Sequence, residues 1–282
     1  MNTAKRDWKI EGVGLGPFDY ESKTWGGHQV GLSPKYLGAL RLRYCLEDLE
    51  EVHGSVLEVG CGAGGMLRGI EAQRPDLTLF GCDVSRNAVE LARRIPTTAV
   101  FEVGDAYSLP YQAGRFAAVV MFDVLEHLDS PNRALAEISR VLVPAGQFHL
   151  FAPCEGPLYT LHGLLARLGW RAKEVYGGHI QRFTPGEIVE HLRRQGFVVD
   201  RRRWSGHLVN QIVDAAYFTA LSLRGKNVGT SVEGYLETTR PGPGAWFIGA
   251  LKSAVGVASY YESLLLAGVP GFGVHLLCEK VG

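Results

Sequence analysis

Glu58-Val59-Gly60-Cys61-Gly62-Ala63-Gly64-Gly65 sets an acidic residue and four glycines between an apolar approach, Ser55-Val56-Leu57, and a helix-like run from Met66 to Ala72. A strand, a glycine turn and a helix N-terminus in that order cradle an anionic, nucleotide-like ligand. Glycine lets the ligand touch backbone, and the helix end offers unpaired N–H donors. Asp83 closes the next apolar run, Phe80-Gly81-Cys82. A carboxylate at that distance, roughly 20 residues on, faces a ribose held on the turn and accepts its hydroxyl hydrogens. Gly104-Asp105 ends a third run, and Asp123, Glu126 and His127 follow a fourth. His179 precedes Thr184-Pro185-Gly186-Glu187, which reads as a capping box that opens a helix to about Arg194.

The elements that position these residues alternate. Strands are expected at Val56–Val59, Leu77–Cys82, Ala99–Val103, Ala117–Phe122 and Gln147–Ala152, with helices at Met66–Ala72, Asn87–Arg94 and Arg133–Leu142 between them. Ser130-Pro131 offers an N-cap and a proline at the first helical position. Such alternation implies βαβ units and a parallel sheet that binds ligands at the strand C-termini. Gly196 to Val199 reads as a sixth strand and Gly273 to Lys280 as the last, paired with the sixth. Between them, His207 to Leu223 and Trp246 to Leu266 carry helical apolar spacing, and Gly225 to Gly244 holds turn signals. The organisation expected is an N-terminal helical and aromatic segment over the site (1–50), a Rossmann-like core (51–204), a helical cap insertion (205–271) and the final core strand (272–282).

Bulk properties exclude several classes. The chain has 282 residues, 46% hydrophobic and 21% charged, which is ordinary globular composition. Lys+Arg 29 against Asp+Glu 29 gives no net charge, so a nucleic-acid partner is not expected. The dense basic run Arg201-Arg202-Arg203 reads as a solvated strand end. Five scattered cysteines without a C-x-x-C pair, and no apolar opening stretch, suggest a reduced cytoplasmic setting without a signal peptide. The greasiest tract, Ala245 to Leu277, is interrupted by Lys252, Glu262 and Pro270, so no transmembrane segment is expected. Peripheral membrane contact and a homodimer both remain open.

The glycine turn fits two ligands. Gly60, Gly62 and Gly65 match the dinucleotide pattern G-x-G-x-x-G, and Glu58 with Gly60, Gly62 and Gly64 matches the acidic-x-G-x-G-x-G pattern of S-adenosylmethionine (SAM) sites. Asp105 favours SAM, because an acidic residue there accepts a hydrogen bond from the adenine amine. Glu58 also favours it, since it can order the turn or lie near an ammonium group that NAD lacks. An NAD(P)-dependent oxidoreductase loses further ground because the chain has no Tyr-x-x-x-Lys pair.

With these stretches in hand, the chain resembles the class I SAM-dependent methyltransferases, in the small-molecule group that includes ubiquinone and menaquinone biosynthesis enzymes. Further matching stretches are Phe116 to Leu128, Arg140 to Gln147 and His179 to Thr184, and the likeness runs from about residue 50 to 200. It implies an α/β, doubly wound, seven-stranded sheet with an antiparallel last strand. It implies SAM as cofactor, held by Glu58, Gly60, Cys61, Gly62, Asp83, Val84, Asp105, Ala106 and Phe122. An apolar or amphipathic small-molecule acceptor is read from the cap aromatics Tyr217, Phe218, Trp246, Phe247, Tyr260 and Tyr261, for which cap core or a dimer interface is an equal alternative. A non-catalytic SAM-binding module docking through its apolar cap is the alternative from another class.

Methyl transfer needs a base only if the nucleophile loses a proton as it attacks. His127 is the first candidate, because the stretch after the fourth strand borders the methyl, and His179 is the second. His149, inside a strand, reads as core. Asp123, Glu126 and His127 would share a helix face at i, i+3, i+4 spacing. Some quinone-pathway members bind a divalent metal around this segment, but a solvated helix face is the simpler reading and no metal is expected. Tyr20, Trp25 and His28 could fold over the cofactor, and Arg41 and Arg43 could meet its carboxylate.

Overall fold

The computed structural model describes residues 21, 24–36, 38–224 and 243–281. Its sheet has seven strands: β1 (Ser55–Val59), β2 (Thr78–Asp83), β3 (Val100–Val103), β4 (Phe116–Phe122), β5 (Leu142–Pro153), β6 (Phe197–Ser205) and β7 (Gly273–Lys280). The spatial order is β3-β2-β1-β4-β5-β7-β6. The first five strands are parallel, and β7 inserts antiparallel between β5 and β6. This is the doubly wound, Rossmann-like sheet with an antiparallel last strand.

Strand alternation divides the core in two. Leu57, Val59, Val119, Met121, Phe148 and Leu150 point to one face, where Leu135 and Ile138 of α4 (Pro131–Val141) and Ile188 and Leu192 of α7 (Pro185–Arg194) cover them. Val56, Ala118 and Val120 point to the other, beneath α1 (Ala39–Asp48), α2 (Gly65–Gln73) and α3 (Arg86–Arg94). Two short helices, α5 (Leu161–Arg167) and α6 (Ala172–Gly177), follow β5. Helices α8 (Leu208–Arg224) and α9 (Pro243–Leu265) are inserted between β6 and β7 and pack on one another. The turn-rich stretch 225–242, Tyr20, and the side chains of Trp246 and Phe247 lie outside the described residues. Among the described residues, no helix is long and apolar enough to cross a membrane.

Local signals behave unevenly. Thr184 and Glu187 form the full capping box at α7. Ser130 makes no side-chain cap bond at α4; its backbone N–H instead donates to Tyr107 Oη at 3.2 Å. In the arginine run Arg201 and Arg202 are exposed, as expected, but Arg203 is a correction: only 13% exposed, it pairs with Glu47 and Asp48 of α1, and Arg201 reaches Asp48 at 3.1 Å. Asp48 is fully buried there and needs those cations.

The strand order reverses between β1 and β4, because β2 and β3 extend one way and β5 onward the other. The crevice at such a switch point, outside the strand C-termini, is where open α/β sheets bind ligands.

Candidate active site

At the end of β1, Gly60, Gly62 and Gly64 all adopt positive φ (77°, 51° and 79°), conformations that only glycine holds without strain. The turn is tied to β2: the Gly60 and Cys61 N–H groups donate to the Cys82 carbonyl at 2.7 and 3.1 Å. Asp83 completes the link, its carboxylate accepting from Gly62 N–H at 2.7 Å and Ser85 N–H at 2.9 Å. Burial pushes the Asp83 carboxyl up, and those two N–H donors oppose it. Glu58 is buried on β1, and its Oε2 has no partner among the described residues. Burial drives its carboxyl well above the usual range and Asp83 adds to the effect, while a backbone N–H of α2, from Leu67, opposes. Gly104 N–H donates to the Asp83 carbonyl at 2.9 Å, which brings the tip of β3 alongside. Asp105 there is exposed and accepts from Tyr107 N–H at 2.9 Å; Ala106 follows it. Val84 is exposed at the same edge, and Phe122 is buried at the end of β4.

An N-terminal strap lies over the turn. Trp25 O accepts from Ala63 N–H at 2.8 Å, and Val30 N–H donates to Gly65 O at 3.0 Å. Arg68 of α2 is buried and bonds the carbonyls of Ala63 and Gly27 at 2.7 and 3.0 Å, fastening strap to turn. His28 is exposed on this strap. The Glu21 carboxylate accepts from the Arg86 and Asn87 N–H groups at the start of α3.

Arg41 and Arg43 part company. Arg43 points to Glu47 and Tyr260 Oη, at 2.9 and 3.2 Å, and is spent on holding α1 against α9. Arg41 lies 4.1 Å over the Phe151 ring and pairs with Asp123 at the mouth of the crevice. Asp123 is itself unusual, a non-glycine residue at φ 51°. That turn ends β4 abruptly, so Leu125–His127 is a short 3₁₀ helix and not an α-helical face. Asp123 therefore stands apart from Glu126, and Glu126 is fully buried, which overturns the solvated-face reading.

His127 and His179, predicted 52 positions apart, are brought together with ring centroids 5.0 Å apart, edge to face. Glu126 Oε1 lies 3.9 Å from His127 Nε2 and 4.0 Å from His179 Nε2. His127 Nδ1–H donates to Gly178 O at 2.9 Å. Burial, reinforced by His179, pushes the His127 imidazole down to about 3. For His179, burial opposes the charge, but Glu155 outweighs it and moves the ring up. Glu155 Oε1 lies 3.0 Å from His179 Nδ1 and 2.8 Å from Lys173 Nζ. Lys173 continues to Asp214 of α8 at 2.7 Å, and Asp214 reaches His162 of α5 at 2.8 Å. Glu155, Lys173, His162 and Asp214 were beyond sequence reasoning, since their partners lie up to 52 residues away. Glu126, His127 and His179 are a set that could hold a metal ion.

Comparison with known proteins agrees with this geometry. Residues 33–201 match the family model of a methyltransferase domain. Ajmaline N-methyltransferase of Rauvolfia serpentina is 31% identical over 124 residues, which are 42% of this chain and 42% of that protein. Demethylmenaquinone methyltransferase of Thermotoga maritima is 28% identical over 160 residues, 51% of this chain and 70% of that one. The chain thus spans less than half the length of the first of these relatives. Among solved structures, the [4+2]-cyclase SpnF superposes with a TM-score of 0.56 at 22% identity, covering 95% of this chain and 89% of that one, which shows the fold alone. A buried carboxylate with an orphaned oxygen beside a glycine turn, and a second at the end of β2, suit a ligand that carries an ammonium group and ribose hydroxyls. On the domain match and the site together, the chain belongs to the class I SAM-dependent methyltransferases.

Proposed function

We propose that this protein transfers a methyl group from SAM to a small amphipathic acceptor seated between α1 and the inserted helices. The observation that carries the reading is the Gly62–Asp83 contact beside the orphaned Glu58 carboxylate. Asp83 would take the ribose hydroxyls, Asp105 and Ala106 the adenine edge, and Glu58 the ammonium end. Gly60, Cys61, Gly62, Val84 and Phe122 would line the cradle. When bound, SAM supplies an electrophilic methyl on a sulfonium. The protein's work is then to hold acceptor and cofactor in line and exclude water.

The acceptor reading rests on a cleft lined by Arg41, Phe151, Ser205, Asn210, Tyr260 and Phe272. Aromatic walls with a few polar groups suit a ligand of the same mixed character. Phe272 separates this cleft from the buried charges, with Lys173 Nζ 4.3 Å over its ring. His127 and His179 are the residues proposed to act on the acceptor. His127 keeps its Nδ1 proton on Gly178, which leaves Nε2 as a lone-pair acceptor for an acceptor hydroxyl. It orients that hydroxyl but retains no proton, because burial and, after it, the neighbouring His179 hold its imidazole low.

The test is calorimetry with SAM and with NADH on wild type and Asp83→Ala, followed by S-adenosylhomocysteine release against small amphipathic acceptors, with tRNA as a further arm. SAM binding that the substitution abolishes, with turnover on a small acceptor, is the expected result. NADH binding without SAM binding ends the proposal. SAM binding without turnover on any acceptor leaves the non-catalytic module.

A further inference from the structure

The cleft between α1 and the inserted helices carries one cation and no acid. Arg41, Phe151, Ser205, Asn210, Tyr260 and Phe272 border it, and among the described residues no Asp or Glu is part of its lining. Arg41 is 35% exposed and lies 4.1 Å over the Phe151 ring. Its Nη1 donates to Asp123 Oδ2 at 2.5 Å, and among the described residues Nε and Nη2 have no acceptor. Those two atoms form one edge of the guanidinium, an edge that binds a carboxylate through two parallel N–H···O bonds. Glu262 of α9 does not compete for it, since its carboxylate accepts from the Leu208 and Val209 N–H groups at 3.2 and 3.1 Å.

A second donor borders the same ring. Ser205 is 8% exposed, and its Oγ lies 3.0 Å from His275 Nε2. His275 Nδ1 has no partner among the described residues. Buried N–H groups are rarely left orphaned, so the ring proton belongs on Nε2 and is donated to Ser205 Oγ. The Ser205 hydroxyl then has no use for its own hydrogen on the histidine, and that hydrogen is left for the cleft. Gly273 lets the two walls meet: an added Cβ would stand 2.5 Å from Phe151 Cε2 and 3.1 Å from Ser205 Oγ. Arg41 and Ser205 are thus two donors on one aromatic floor.

We propose that the acceptor is an amphipathic carboxylic acid, its carboxylate held by the Nε/Nη2 edge of Arg41 and the Ser205 hydroxyl, its apolar body against Phe151, Tyr260 and Phe272. Arg41 and Ser205 are then the residues that decide which molecules enter. That this acid is the methyl acceptor rests on the methyl-transfer reading, whereas the carboxylate site stands without it. A single guanidinium already shared with Asp123 matches one negative charge, and a phosphate dianion would bring it two. Asp123 is 36% exposed, so water screens its repulsion of the incoming anion. A neutral amide turns N–H groups toward Arg41 and Ser205, which are donors themselves. An ammonium group would meet the Arg41 charge directly. Charge therefore selects among ligands that are otherwise equally apolar.

The full chain, with and without saturating S-adenosylhomocysteine, is titrated by calorimetry with hexanoate, octanoate, decanoate, benzoate and cinnamate, each beside its amide and its phosphonate analogue. At least one carboxylate is expected to bind about 10- to 100-fold tighter than its amide, the gain of hydrogen bonds to a charged group. Arg41→Gln and Ser205→Ala should each lower that acid-to-amide ratio by about fivefold or more. S-adenosylhomocysteine affinity serves as the folding check, with values expected within about twofold of wild type. No binding by any carboxylate, acid and amide binding equally in every pair, or phosphonates binding tightest overturns the site. So does a ratio unchanged in both variants. An Arg41→Gln protein that loses S-adenosylhomocysteine affinity but keeps the ratio assigns Arg41 to the cofactor and also overturns it. Carboxylate preference in a protein that takes neither SAM nor S-adenosylhomocysteine sinks the methyl-transfer reading and leaves the carboxylate site standing.

Discussion

Asp83 and Gly62 are joined by a 2.7 Å hydrogen bond between the end of β2 and the glycine turn after β1. One carboxylate thereby shapes the backbone that would hold the cofactor and stands where its ribose would lie. Asp83→Asn keeps the size of the side chain but removes the charge. Because a hydrogen bond to a charged group contributes about 1.5–3 kcal/mol, SAM affinity should fall about 10- to 100-fold. Calorimetry measures this, and unchanged affinity would place the ribose elsewhere.

Gly62 should tolerate no side chain. Its φ is 51°, and an added Cβ would stand 2.6 Å from Trp25 O on the strap. Gly62→Ala must therefore strain the turn and lift the strap, at a cost of about 1–3 kcal/mol. Gly186, in the first turn of α7, is the matched control: nothing lies within 4 Å of an added Cβ. Gly186→Ala should leave the melting temperature unchanged or raised, by up to about 1 kcal/mol of stability. Thermal unfolding of the two variants separates backbone demand from a general intolerance of alanine.

Asp48 and Arg203 bind α1 to the sheet edge, and both are withdrawn from water. Arg203→Met removes the guanidinium and leaves a buried carboxylate with His149 and the half-exposed Arg201 as its remaining partners. Breaking a buried pair from one side costs about 3–5 kcal/mol. Arg201→Ala, at an exposed position, should cost no more than about 1 kcal/mol. Denaturant unfolding of the pair of variants decides it; equal effects would mean that Arg203 acts only as a surface cation.

The fold was legible where local chemistry dictates it. The βαβ alternation, the glycine turn and the Thr184–Glu187 capping box are short-range signals, and the strands fall within a few residues of their expected places, although β5 and β6 run longer. Arg203 was read as solvated along with the exposed Arg201 and Arg202, because composition carries no information about the α1 carboxylates that it meets. Glu126 was assigned to a wet helical face because i, i+3, i+4 spacing presumes an α-helix, and the positive φ of Asp123 breaks that premise. The meeting of Glu126 with His179, and of Glu155 with Lys173 and Asp214, depends on where β4, β5, α6 and α8 end in space. No local pattern encodes such long-range charge pairing.

His275 offers a pH test of the interior. Its ring is buried on β7, 4.6 Å from the Phe151 ring and 4.9 Å from that of Tyr44, with Nε2 3.0 Å from Ser205 Oγ. Burial holds the imidazole well below its ordinary value, and His149, Arg41 and Arg203 push the same way. Asp48, the nearby acid, is occupied by His149 and Arg203. In the folded state His275 stays neutral, while in the unfolded chain it takes up a proton below about pH 6.5. The unfolded state then binds more protons, so this residue costs stability as pH falls. Between pH 7 and pH 5 the loss from His275 amounts to about 2 kcal/mol. His275→Gln cannot titrate, so its stability should fall less steeply than that of wild type across that window, whatever its value at pH 7. Parallel slopes in denaturant unfolding at pH 7, 6 and 5 would show that His275 accepts its proton inside the fold.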